Sequence, residues 1–207
     1  MNRIELKSKA KEQIRGKIGI LFVISLIIAL ITGVASFVLS LIPFIGNLVN
    51  SIIIAPAFAL SIIRVYLNVT ADVKPTAGDA FCGFDDFWSA FKVTFLVGLF
   101  TFLWSLLFVI PGIIKSFSYS MSTYILAENK GKPALECINE SKAMTNGHKM
   151  DLFVLGLSFI GWVFLCAITL GIASIWVIPY MQATYANAYN SLKPIAIADE
   201  QPIVAAE

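Results

Sequence analysis

The chain has 207 residues, of which 58% are hydrophobic and 14% charged, with a mean hydropathy of +0.82 and a formal net charge of +2. Its apolar fraction lies far outside that of an ordinary soluble domain, and its acidic loop tips exclude a nucleic-acid binder. Cys82, Cys137 and Cys166 show no CxxC spacing and no even count, so they read as reduced structural thiols.

Residues 3–17 carry Arg3, Lys7, Lys9, Lys11, Arg15 and Lys17 against Glu5 and Glu12, while Leu6, Ala10, Ile14 and Ile18 recur every four positions. That spacing predicts a basic amphipathic helix, able to lie against anionic head groups or simply to enforce topology. Residues 18–41 form an apolar run too long for a signal-peptide core and lack a cleavage site, so they are expected to remain as a first membrane span. Ser25, Ala29 and Gly33 at four-residue intervals allow a neighbouring helix to approach closely. An uncharged turn at 43–47 leads into a second span over 48–68, with Pro56 inside it and Arg64 near its end. A long cationic side chain so placed is expected to snorkel to the interface.

Over residues 79–90, Phe81, Phe84, Trp88 and Phe91 share a helical face while Asp86 points away, which predicts a segment lying flat at the membrane surface. A third span over 91–110 is expected to break at Pro111-Gly112 and to be followed by a short serine-rich helix over 113–129. Ser116, Ser120 and Thr123 share one side of that helix and Ser118 and Ser122 the other, a pattern suited to a helix surrounded by protein. Lys115, beside the turn, reads as a head-group anchor. Residues 133–146, opened by Pro133 and closed by Asn146-Gly147, predict a third amphipathic segment. A fifth span over 150–169 turns at Leu170-Gly171 into a sixth over 172–192, which becomes polar through Gln182, Thr184, Asn187 and Asn190. Residues 194–207 are expected to form a short disordered tail.

The predicted fold is therefore all-α, a polytopic transmembrane bundle over residues 1–193 with interfacial amphipathic helices. Its six spans form three hairpins, at 18–68, 91–129 and 150–192. The same order of amphipathic segment, lysine, span, uncharged turn and second span occurs three times, with Lys17, Lys92 and Lys149 at the entries. Tyr119 and Thr123-Tyr124 match Tyr180 and Thr184-Tyr185, and Pro56 and Tyr66 match Pro179 and Tyr189. Of 15 Lys and Arg only Lys115 falls on the opposite side in this arrangement, which predicts both termini in the cytoplasm. A four-span alternative lays the 113–129 helix on the surface and disturbs that charge pattern.

No phosphate-binding loop, dinucleotide fingerprint, zinc helix or nucleophile elbow is present, so no enzyme, cofactor or metal is expected. His148 and Asp151, three residues apart at the mouth of the fifth span, form the one candidate acid–base pair for a lipid-modifying enzyme. Asp151 at a helix N-terminus has a simpler electrostatic explanation, and no nucleophile accompanies the pair. Ser116, Ser120, Thr123, Tyr124, Gln182, Thr184 and Tyr185 could line a polar path for an uncharged or amphipathic cargo, or act as interhelical glue. The first reading of function is a non-catalytic packing or accessory module, the second a small transporter or exporter. Membrane lipid, and a protein partner or a second copy of the chain, are the partners that either reading implies.

The runs at 103–121 (LWSLLFVIPGIIKSFSYSM) and 141–162 (SKAMTNGHKMDLFVLGLSFIGW), with TLGI at 169–172 and IPY at 178–180, carry a resemblance over residues 3–193. The chain resembles the bacterial integral membrane family called domain of unknown function 975. Its hairpin layout is more distantly similar to the membrane domain attached to some glycerophosphodiester phosphodiesterases. The resemblance implies a bacterial cytoplasmic membrane and supplies no site residue.

Overall fold

A computed structural model describes residues 2–40 and 54–200, with the side chains of 40 and 194–200 outside that description. The expected turn at 43–47, the start of the second span and residues 201–207 lie outside the described residues. Within them the chain is all-helical, with no strand.

Helix α1 (Arg3–Ile14) starts where Asn2 Oδ1 accepts the backbone N–H groups of Ile4 and Glu5, at 3.2 and 3.4 Å. It stops at Gly16, whose φ of +80° suits a residue without Cβ. Leu6, Ala10 and Ile14 are buried as the spacing predicts, but against α10 and α3. The stripe that the sequence offers to head groups is thus covered by protein. Helix α2 (Ile18–Ser40) is almost wholly apolar, and α3 (Ala55–Thr70) carries Pro56 in its first turn, where a missing N–H costs nothing.

The segment expected to lie flat over 79–90 is not one helix. Two 3₁₀ turns, Ala77–Phe81 and Phe84–Asp86, flank Gly83, and Trp88 and Phe91 already belong to α4 (Phe87–Leu107). The cause is a close approach: a Cβ on Gly83 would stand 2.8 Å from Ser61 N, and the Gly83 N–H donates to Ser61 Oγ at 2.8 Å. Phe81 and Phe84 then clasp Phe58, with centroids 6.3 and 5.1 Å away.

The break after α4 falls at Phe108, extended at φ −157° and ψ 141°, and α5 (Val109–Tyr119) begins before the Pro111-Gly112 pair. Pro111 opens a helix here instead of closing one, because its fixed φ and absent N–H fit a first turn. Gly112 lies inside α5, where a Cβ would stand 2.8 Å from Ser105 Cα on α4. A second interruption at Ser120-Met121 divides the expected fourth helix into α5 and α6 (Ser122–Glu128).

Helix α7 (Ala134–Met144) is bounded by Gly131 and Gly147, both at φ +75°. The expected fifth span is α8 (Lys149–Leu157) and α9 (Ile160–Ile168), parted by a tight turn at Ser158-Phe159. Gly171 at φ +89° donates to Cys166 O at 2.8 Å and closes α9 before α10 (Ser174–Glu200). Backbone helix continues through Pro194 to Glu200, into the stretch expected from residue 194 to form a disordered tail.

Among the described residues, three stretches, Ile18–Leu39, Ala77–Leu107 and Lys149–Ile168, are 22, 31 and 20 residues long and apolar enough to cross a membrane, while Ala55–Thr70 is shorter. The buried core sits at one end of the bundle, around Leu60, Tyr66, Ile125, Leu126, Leu155 and Tyr189. Here α3 packs against both α6 and α10. At the other end large apolar side chains face outward, Phe108 at 68% exposure, Ile168 at 78% and Leu170 at 93%. So broad an apolar surface marks a membrane or protein contact face.

Candidate functional site at the charged end of the bundle

The side chains able to do chemistry gather around α3, α6 and α10, which tie α1 on one side and the 71–86 loop on the other. Arg64, on the buried face of α3, is only 7% exposed, so it does not snorkel as its position near a helix end predicts. Its Nη1 donates to Cys82 O at 2.6 Å and its Nε to Ala127 O at 3.3 Å, in the last turn of α6 where carbonyls lack helical partners. Nη2 faces the Asp86 carboxylate at 3.7 Å, an ion pair without a hydrogen bond. Asp86 Oδ2 also accepts the Gly131 N–H at 2.9 Å. One guanidinium thus joins α3, the loop before α4 and both ends of the turn between α6 and α7.

A second set lies on α10. Tyr189 stacks on Tyr124 of α6, with centroids 5.5 Å apart, and donates its hydroxyl to Glu128 Oε2 at 2.8 Å. Lys193 reaches the same carboxylate at 2.7 Å. Asn187 donates to Gln13 Oε1 at 2.6 Å, and Gln13 donates to Thr70 O at 3.2 Å. Asn190 donates to Thr70 Oγ1 at 3.1 Å, and Lys17 pairs with Asp72 at 2.7 Å. The polar late half of α10, legible in the sequence, is therefore the seam that α1 and α3 close.

A third set joins α5, α6 and α7. Ser141 Oγ donates to Ser118 O at 2.8 Å and accepts the Met121 N–H at 3.2 Å, while Thr145 Oγ1 lies 3.3 Å from the same Ser118 carbonyl. Ser141 and Thr145 are fully buried. They satisfy the backbone groups that the Ser120-Met121 interruption frees, which is why the chain tolerates a break inside the protein.

His148 and Asp151 do meet, with Nδ1 and Oδ2 3.0 Å apart. His148 borders a cavity of about 250 Å³ lined also by Asn2, Glu5, Lys9, Asn187 and Asn190. The geometry can hold a proton on an imidazole beside a polar cleft. The cleft wall also offers the Ser191 hydroxyl, which donates to Ala188 O at 2.8 Å within its own helix. Elsewhere at this end, burial pushes the Cys82 thiol up from its ordinary value, and the Cys137 thiol is pushed up to about 11 for the same reason. A hydrogen bond to Glu140 holds Lys132 above its usual range.

The residues singled out for a polar path divide between exposed, half-buried and buried positions. Ser116 and Ser120 are exposed, and their hydroxyls return to the carbonyls of Ile113 and Phe117 at 2.7 and 2.8 Å. Ser118 and Ser122, on the opposite face, are the buried pair. Thr123, Gln182 and Tyr185 are half-buried, and Tyr124 is buried. Thr184 is fully buried with Oγ1 2.7 Å from Tyr180 O. Lys115 lies over the Trp104 ring, 4.6 Å from its centroid. Pro111 and Gly112 stand in α5, and Gly171 in the turn before α10.

The residues missed were Arg64, Asp86, Ser141 and Thr145. A lone arginine in an apolar helix followed by an acidic loop was the available signal for the first pair. The second pair carried none, since serine and threonine on an amphipathic helix look like solvated positions.

A family model covers residues 1–116 and again 106–196, and together the two matches span nearly the whole chain. The chain belongs to the family described as Protein of unknown function (DUF975). The two matches overlap around the α4–α5 turn, in line with an internal repeat. No curated protein and no solved structure matches the chain.

Proposed function

We propose that this DUF975 protein is a non-catalytic, polytopic packing or accessory module of the bacterial cytoplasmic membrane. It crosses six times as three related hairpins, with both termini and the charged end on the cytoplasmic side. What supports the layout is that α3, α6 and α10, the second limbs of the three units, pack together and that the two tyrosines Tyr124 and Tyr189 stack at their centre. The charged residues of α1, the 71–86 loop and α7 then lie on the side that the positive-inside rule assigns to the cytoplasm.

The single observation that carries a packing role over a transport role is where the membrane-level hydroxyls go. Ser116, Ser120 and Thr184 direct their hydroxyls to carbonyls of their own helices, and Ser118 uses its carbonyl to hold α7. Hydroxyls turned back on their own helices, and a carbonyl that holds a neighbouring helix, are engaged within the protein instead of being offered to a solute. Flux of uncharged solutes into liposomes containing the purified protein tests this. A packing role predicts leak equal to that of empty liposomes. Flux that falls when Ser120→Leu and Thr184→Leu are introduced into a still-folded protein contradicts it.

A further inference from the structure

We propose that the groove between α1 and the first turn of α10 binds one anionic phospholipid, an inference that rests on the membrane placement above and names the partner of that face. The groove has a volume of about 650 Å³ and brings Lys11, Glu12 and Arg15 together with Ile14, Ile18 and Trp176. It is amphiphile-shaped: charged groups line it beside the apolar start of α2 and an indole that is 64% exposed.

The charge state of α1 singles this face out. Lys9 pairs with Glu5 at 2.7 Å, and Lys17 with Asp72 at 2.7 Å. Lys7 sits 4.5 Å over the Phe159 ring and 3.4 Å from Ser158 O. Lys11 and Arg15, one helical turn apart and exposed, have no carboxylate within ion-pair distance among the described residues. Like charges so spaced repel each other, and a bound anion relieves the repulsion. Glu12, in the same groove, leaves an excess of one positive charge, which matches the net charge of a phosphodiester lipid carrying one negative charge.

The fold also determines how contact is made. Leu6, Ala10 and Ile14 are committed to protein, so α1 cannot insert its apolar stripe into the bilayer. The lipid must come to a preformed groove, phosphate against Lys11 and Arg15 and chain along Ile18 and Trp176, and binding is stoichiometric.

Native mass spectrometry of the full chain in detergent, titrated with phosphatidylglycerol or phosphatidylcholine, tests the site. One phosphatidylglycerol per chain is expected to be retained, and Lys11→Gln with Arg15→Gln should lower that retention about tenfold or more. Both positions are exposed, and Glu12→Gln should raise retention in the same fold. Equal retention of the two lipids, unchanged retention in the double variant, or displacement of the lipid by inorganic phosphate overturns the proposal. Phosphatidylglycerol with brominated chains should quench wild-type tryptophan fluorescence more than that of Trp176→Phe, and equal quenching overturns the location. A protein that resists carbonate extraction yet binds both lipids alike loses only this inference; one that carbonate releases loses the membrane reading itself.

Discussion

The Arg64 guanidinium stands 3.7 Å from the Asp86 carboxylate with both side chains almost wholly enclosed, 8% and 13% exposed. Charges taken out of water are tolerated when hydrogen bonds satisfy most of their atoms: the carbonyls of Cys82 and Ala127 take Nη1 and Nε, the Gly131 N–H donates to Asp86, and Nη2 has the Asp86 charge alone. The pair is the joint through which α3, α6 and the loop before α4 are fixed.

Arg64→Leu should therefore destabilise the protein by about 3–5 kcal/mol, the usual cost of leaving a buried charge without its partner. Adding Asp86→Asn should restore part of that loss, because the double variant no longer buries an uncompensated carboxylate. Denaturant unfolding in detergent measures both. Additive losses would show that the two residues act independently.

Gly112→Ala should cost about 1–3 kcal/mol, since the added methyl meets Ser105 Cα at 2.8 Å and forces α5 away from α4. Gly98→Ala, on the same hairpin but with nothing within 4 Å of the new Cβ, is the control and should be neutral or slightly stabilising. Thermal unfolding of the two variants separates a close approach from a general intolerance of side chains in these helices.

Tyr189→Phe removes the hydroxyl that donates to Glu128 while leaving the ring stacked on Tyr124. The expected loss is about 1–2 kcal/mol, as for a hydrogen bond to a charged acceptor whose second partner, Lys193, remains. Tyr189→Leu should lose more, because the stack goes too. Equal losses in the two variants would mean that the ring stack contributes nothing, and an unchanged Tyr189→Phe that the hydroxyl contributes nothing.

The Cys137 thiol, pushed up to about 11 by burial, gives a prediction for pH. The folded chain holds the proton more tightly than the unfolded chain, so the contribution is fully present below the ordinary thiol value of 9.0 and is lost as pH rises through about 11. Unfolding followed between these values should show a steeper fall in stability for the wild type than for Cys137→Ala. Alkylation at neutral pH should also be slow at Cys137, which is buried as well as protonated.

Much of this fold is legible in the sequence because its boundaries are written in glycine and proline. The stops at Gly131, Gly147 and Gly171 all fall at positive φ, where the residue type dictates the backbone. Pro111 misleads by three positions, since proline ends one helix and begins another with equal ease. The spacing of the serines reveals two faces of one helix but not which is buried; Ser141 and Thr145, on a helix distant in sequence, decide that. Arg64 shows the same limit. Whether an arginine snorkels or is enclosed depends on partners that folding brings from the 82–86 loop and from Ala127, and no local pattern announces them.

The most direct test of the central claim, a bundle embedded in the membrane with its charged end in the cytoplasm, is labelling of single cysteines in intact cells. In a background with Cys82, Cys137 and Cys166 replaced, Lys115→Cys should react with a membrane-impermeant maleimide, and Lys142→Cys should react only after the membrane is opened. Labelling of Lys142→Cys in intact cells, with Lys115→Cys protected, contradicts it.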